Sequence, residues 1–197
     1  MGKFYPVITK VMDKLKNKII KKLHRKDYGR ACTFSDFTNL ADNAILRRAL
    51  AELIKEGKIA EVSPDIFVVF TKSEFINVPV PPAISSVAYA IARQHGWVML
   101  PEKWHTLNYV GFESQVPCRF IYGSSGPDIT FDVLGVTIEF RHIPESLQRY
   151  RTIGEAAIAY ILLSTEYPKY YRRKFLKRNC PPELVAEIAK ELNVQIP

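Results

Sequence analysis

Residues 35–70 read SDFTNLADNAILRRALAELIKEGKIAEVSPDIFVVF, and the periodicity changes twice within this stretch. Ile45, Leu46, Ala49, Leu50, Leu53 and Ile54 recur at helical spacing behind the capping residue Asp42. Gly57 stops the pattern, so a helix is expected from Asp42 to about Glu56. Ahead of it, Ser35 is an N-cap candidate for a short helix through Ser35-Asp36-Phe37, with Asn39 to Ala41 as the turn. Behind it, Lys58 to Val62, the turn Ser63-Pro64-Asp65 and the β-prone run Ile66 to Phe70 predict a hairpin.

Outward toward the N-terminus, Ile8, Met12, Leu15, Ile19 and Leu23 recur at spacings of three and four. They predict an amphipathic helix over residues 6–26, opened by Pro6 and broken by Gly29. Three helices and a hairpin in this order are those of a winged helix-turn-helix, assigned to residues 1–75. Pro79, Pro81 and Pro82 then predict an extended linker over 76–84.

Residues 85–197 are expected to form an α+β domain. Ser85 to Gln94 and Glu102 to Tyr109 look helical, with Trp97 to Leu100 strand-like between them. Val116 to Tyr122, Ile129 to Leu134 and Val136 to His142 predict a small antiparallel meander, with turns at Gly123-Ser-Ser-Gly126-Pro127 and Leu134-Gly135. From Ile153 onward the tail reads as helical, its last helix opened by Pro181-Pro182 with Glu183, Glu187 and Glu191 on one face.

Charge sharpens the N-terminal assignment. Residues 1–30 hold ten Lys or Arg against Asp13 and Asp27, the whole net charge of +8, while the other 167 residues balance. Such asymmetry fits a polyanionic partner, with a solvated lysine face as the plainer alternative. In a helix-turn-helix, Asn43, Arg47 and Arg48 would face base edges, since Asn pairs with adenine and Arg with guanine. Lys14, Lys18, Lys21, Lys22, Arg25, Lys55 and Lys58 would meet phosphates and set register. The hairpin tip works against this: Glu61 and Asp65 repel a nearby phosphate. A winged helix used only for protein contacts is the alternative.

Reaction centres are not evident. Gly123-Ser-Ser-Gly126 lacks the Lys-Ser/Thr of a phosphate loop and reads as a hairpin turn. Asp128, Asp132, Glu139 and His142 would have to converge for nucleic-acid chemistry, and Cys118 has no fixed His partner. Neither a metal site nor a cofactor is expected. The longest apolar run, Ala156 to Leu163, is far short of the roughly 20 residues a bilayer needs, so no membrane association is expected. With no apolar leader and three widely spaced cysteines, the protein is expected in the cytoplasm. One further cluster, residues 167–178, interleaves Tyr167, Tyr170, Tyr171 and Phe175 with Lys and Arg, including Arg172 and Arg173. It suits nucleic-acid backbone or an acidic protein surface, or a helix whose aromatics pack inward while its charges stay wet.

A resemblance accompanies these residues. Ile91-Ala-Arg93-Gln-His-Gly96-Trp97, Pro101, Leu107-Asn108-Tyr-Val-Gly111-Phe112 and Ser114-Gln115-Val116-Pro117 form an ordered series, joined by Phe34-Ser35-Asp36-Phe37, Leu50-x-x-Leu53, Gly57-x-Ile59 and Ile138-Glu139-Phe140-Arg141. Over about residues 15–145 the chain resembles the AbiEi-like antitoxins of type IV abortive-infection toxin–antitoxin systems. The resemblance implies a non-enzymatic antitoxin and autorepressor that binds its own operator and counters a nucleotidyltransferase-like toxin. Arg93, Trp97, Asn108, Gln115 and Arg141 are the interaction candidates on this pattern, with Arg172 and Arg173 added from the tail. Pairing of two copies on a palindromic operator would make it a homodimer. The chain departs from the family in its Ser63-Pro64-Asp65 wing and in its extension past residue 150.

Overall fold

The computed structural model describes residues 5–25, 29–72, 78–115 and 118–197. They form a mixed α+β chain with seven α-helices and small sheets among the described residues. The chain divides into one unit of Met1–Gly96 with Asp132–Val136, and a second of Trp97–Phe131 with Thr137–Pro197.

In the first unit, helix α1 (Tyr5–Leu23) buries Leu15, Ile19 and Leu23, the inner part of the expected stripe. Strand β1 (Ala31–Thr33) leads into a 3-10 turn (Phe34–Phe37), then helix α2 (Asn43–Lys55) and strands β2 (Ala60–Ser63) and β3 (Ile66–Val68). The strands pair antiparallel in the order β1-β3-β2, with Ala31 and Ala60 both opposite Val68. Phe37, Leu46, Ala49, Leu50, Leu53 and Phe67 close one core with the α1 stripe. Strand β4 (Thr71–Lys72) pairs with β5 (Pro79–Val80), and helix α3 (Ile84–Gln94) buries Val87, Ala88 and Ile91 and packs on β1. Gly29 passes so close to the Ser86 hydroxyl that a Cβ there would collide with it.

Several expectations are corrected here. Thr33, not Ser35, caps the first turn: Thr33 N–H donates to Asp36 Oδ2 at 2.8 Å, and Asp36 N–H donates back to Thr33 Oγ1. Thr33 ends an extended strand, so the cap falls two residues early. Asp42 caps α2 by position, without a side-chain hydrogen bond. Ile45 and Ile54 lie outside the core, 45% and 36% exposed. The 76–84 linker contains the paired strand β5, and α3 groups with the first unit, so the division falls at Gly96/Trp97.

The second unit holds strand β6 (Met99–Leu100), helix α4 (Lys103–Tyr109), and strands β7 (Phe120–Ser124), β8 (Ile129–Val133) and β9 (Val136–His142). The sheet order is β6-β7-β9-β8, and β7 runs parallel to β9 in the register Phe120↔Ile138. The expected antiparallel meander is therefore a mixed sheet. Of the two turns expected in it, only Leu134-Gly135, both at positive φ, makes a hairpin turn. Segment 125–128 instead crosses the end of β9, where Asp128 Oδ1 accepts the His142 N–H at 2.6 Å and Ser124 O accepts the Ile143 N–H at 2.9 Å. Trp97 sits edge-on to Phe140 at 5.4 Å, and Gly126 leaves room for its indole.

Helices α5 (Ile153–Leu163), α6 (Lys169–Asn179) and α7 (Pro182–Glu191) complete this unit. A Thr152/Glu155 capping box opens α5, which is buried from Ala156 to Leu162. Phe112 is ringed by Tyr167, Tyr171 and Phe175 at 4.8 to 5.0 Å. No described helix is long and apolar enough to cross a membrane.

Candidate nucleic-acid interface

On α1 the apolar stripe faces the core, and the remaining positions divide the cations into two sets. Lys10, Lys14, Lys18, Lys21 and, just past the helix, Arg25 follow one another at spacings of four, four, three and four, and all are exposed. At 100° per residue they share the face turned away from Leu15, Ile19 and Leu23. Lys10 to Lys21 spans about 16 Å. Among the described residues no carboxylate pairs with the four lysines. Like charges at this spacing repel one another, so the stripe gains nothing for the helix itself.

The second set is bound internally. Lys16 Nζ is buried between Glu52 Oε2 at 2.7 Å and Glu56 Oε1 at 2.6 Å, tying α1 to α2. These hydrogen bonds raise the Lys16 pKa, Glu52 first and then Glu56, while Lys16 and then Lys58 hold the Glu56 carboxyl at about 2. Lys22, expected at phosphate, donates to Asp36 O and sits 3.4 Å from Asn39 Oδ1.

On α2 the expected readout residues are not equivalent. Asn43 and Lys55 are exposed. Arg48 Nε donates to Glu52 Oε1 at 3.1 Å, and Lys58 pairs with Glu56 at 2.8 Å. Arg47 Nη1 donates to Asp65 Oδ1 at 3.1 Å, with its guanidinium 4.2 Å above the Phe34 ring centroid. Asp65 holds a left-handed φ of 60° at the β2–β3 tip, and its N–H donates to Glu61 Oε1 at 2.8 Å. Asp65 thus holds the arginine that was expected to face base edges, a contact between residues 18 apart that helical spacing does not reveal. Lys10 is the cation missing from the expected set; its four-residue step to Lys14 was the available signal.

The interaction candidates are mostly internal braces. Arg93 Nη2 donates to Ala31 O and Asp36 Oδ2, both at 3.1 Å, fastening α3 to β1 and the 3-10 turn. Asn108 Nδ2 donates to the Glu113 and Gln115 carbonyls at 3.2 Å, holding the loop after α4, while the Gln115 side chain is exposed. Trp97 is half-buried in the aromatic cluster above. Arg141 pairs with Glu139 at 2.9 Å, and Arg119 reaches the same carboxylate at 2.5 Å. Arg172 is buried and donates to the Ile161, Leu162 and Tyr167 carbonyls, closing the open end of α5. Arg173 is exposed, with Nε on Pro197 O. Val116 and Pro117 lie outside the described residues. Among the described residues no group of three His, Cys, Asp or Glu is arranged to hold a metal ion.

Residues 18–161 match a family model described as "Family of unknown function (DUF6088)". A comparison with curated proteins finds no match.

Proposed function

We propose that this chain, which belongs to the DUF6088 family, is a non-catalytic DNA-binding repressor of the antitoxin type. The observation that carries the proposal is the exposed α1 stripe, whose four lysines have no carboxylate partner among the described residues. A row of unneutralised cations 16 Å long is a surface that duplex phosphates can occupy with release of counterions. The order helix–strand–turn–helix–hairpin, with strands arranged β1-β3-β2, supports a winged helix-turn-helix in the first unit. In that role α2 presents Asn43 and Lys55, and Arg47 once Asp65 releases it. Phosphate contacts dominate affinity and base contacts are few.

The repressor works in the cytoplasm, in keeping with three cysteines spaced far apart in the sequence. Its partners are its own operator and, on the resemblance around Arg93-Gln-His-Gly96-Trp97, a nucleotidyltransferase-like toxin; two copies bind a palindromic site. Non-catalysis is supported by the occupied state of the acids: Asp128 holds the β9 end, and Glu139 lies between Arg119 and Arg141.

The test is binding to the chain's own promoter duplex against a scrambled duplex at physiological salt. A preference of at least tenfold is expected. Equal binding would sink the repressor role. A second reading, a winged helix used for protein contact alone, is favoured by the acidic tip that captures Arg47. Co-purification with a neighbouring gene product, without any shift of promoter DNA, would select it.

A further inference from the structure

Helix α6 contains six Lys or Arg and no acid in eleven residues. Arg172 is consumed in closing α5. The other five form two rows at i, i+4 spacing, Lys169–Arg173–Lys177 and Lys174–Arg178, and all are exposed. Among the described residues no Asp or Glu pairs with any of them, while Arg173 Nε donates to Pro197 O. Lys169 sits in the first turn, where the helix dipole disfavours a cation, and each row repels itself. Lys177 and Arg178, in the last turn, suit the dipole, so it is the first-turn cation and the repulsion along the rows that the helix does not need.

Three of the segment's aromatics, Tyr167, Tyr171 and Phe175, pack against Phe112. Tyr170 does not: it is 75% exposed, heads the row that continues through Lys174 and Arg178, and has Lys174 Nζ 6.0 Å from its ring centroid. Beside these rows lies an apolar slot of about 430 Å³, lined by Leu176, Val185, Cys180 and Ile196 and shared with Arg173 and Lys177. Exposed cations, an exposed ring among them and an adjoining apolar bed are what an unpaired base and its phosphate require.

We propose that the outer face of α6 binds single-stranded nucleic acid, with Tyr170 as the stacking platform and Arg173 and Lys177 on the phosphates. This site lies in the second unit and is independent of the duplex-binding role assigned to α1.

The experiment is fluorescence anisotropy on the full chain with a labelled twelve-residue oligo-dT, and in parallel with promoter duplex. Tyr170→Ala is expected to weaken oligo-dT about tenfold, and Tyr170→Phe to retain binding within about twofold. Arg173→Gln with Lys177→Gln should reduce the single-strand salt slope by about 1.4. Neither change should move duplex affinity. Lys14→Gln/Lys18→Gln/Lys21→Gln should leave oligo-dT binding within about twofold. The proposal is overturned if oligo-dT does not bind, if Tyr170→Ala leaves it unchanged, or if the α1 variant abolishes it. Displacement by polyglutamate as efficient as by oligo-dT at equal charge would also overturn it, because an acidic protein surface would then be the occupant.

Discussion

Arg47 shows how a residue suited to one chemistry is turned to another by its surroundings. Guanidinium geometry fits guanine, yet here it is fixed by Asp65 and the Phe34 ring. The pair is largely exposed, so its worth is modest, up to about 1 kcal/mol. Asp65→Asn, which tolerates the left-handed backbone at this tip, should free Arg47 and raise promoter affinity about two- to fivefold in a binding titration. In the Asp65→Asn background, Arg47→Ala should then cost more affinity than it does alone. Arg172 makes the opposite point. Buried against three carbonyls, it is structural, and Arg172→Met should lower stability by about 3 kcal/mol in urea unfolding, because those carbonyls lose their donor. A loss under 1 kcal/mol would mean that water takes over the carbonyls.

Among the elements, the coupling of α1 to α2 through Lys16 sets a pH window. The Glu56 carboxyl is depressed to about 2, so its stabilising contribution is full above the ordinary carboxylate range and is lost as the pH falls toward 2. The Lys16 pKa is raised, so its contribution is full below the ordinary lysine range and is lost only at higher pH. Thermal unfolding followed from pH 5 to 2.5 should therefore show a falling midpoint, and Lys16→Gln should flatten that fall. An unchanged slope in the variant would remove the ion pair from the account.

What could be read beforehand follows the same physics. Helices α1 and α2 and strands β8 and β9 were legible because their apolar positions repeat over several turns or pleats. Strands β1 and β5, three and two residues long, are too short to show any period. The parallel pairing of β7 with β9 was not legible, since alternation reports which face is buried and not which neighbour a strand takes. The lysine stripe could be traced from its spacing. The capture of Arg47 by Asp65 and of Asp36 by Arg93 could not, because both join residues distant in sequence.

For the whole molecule, the two units divide the work proposed for them. The net charge of +8 arises within residues 1–30, most of it on α1 and the residues just after it, while the second unit adds α6 as a local cationic face on a chain otherwise balanced. If the antitoxin role holds, the chain should co-purify with the product of an adjacent nucleotidyltransferase-like gene, and truncating Arg93 should unfold the first unit before it weakens that complex.

Whether α1 is the duplex-binding surface is decided by the salt dependence of promoter binding. The unmodified chain should give a slope of log K against log salt of about −4, and Lys14→Gln/Lys18→Gln/Lys21→Gln should reduce its magnitude by about 2.7 while weakening promoter and scrambled duplexes alike. An unchanged slope in the triple variant, with promoter binding intact, would contradict it.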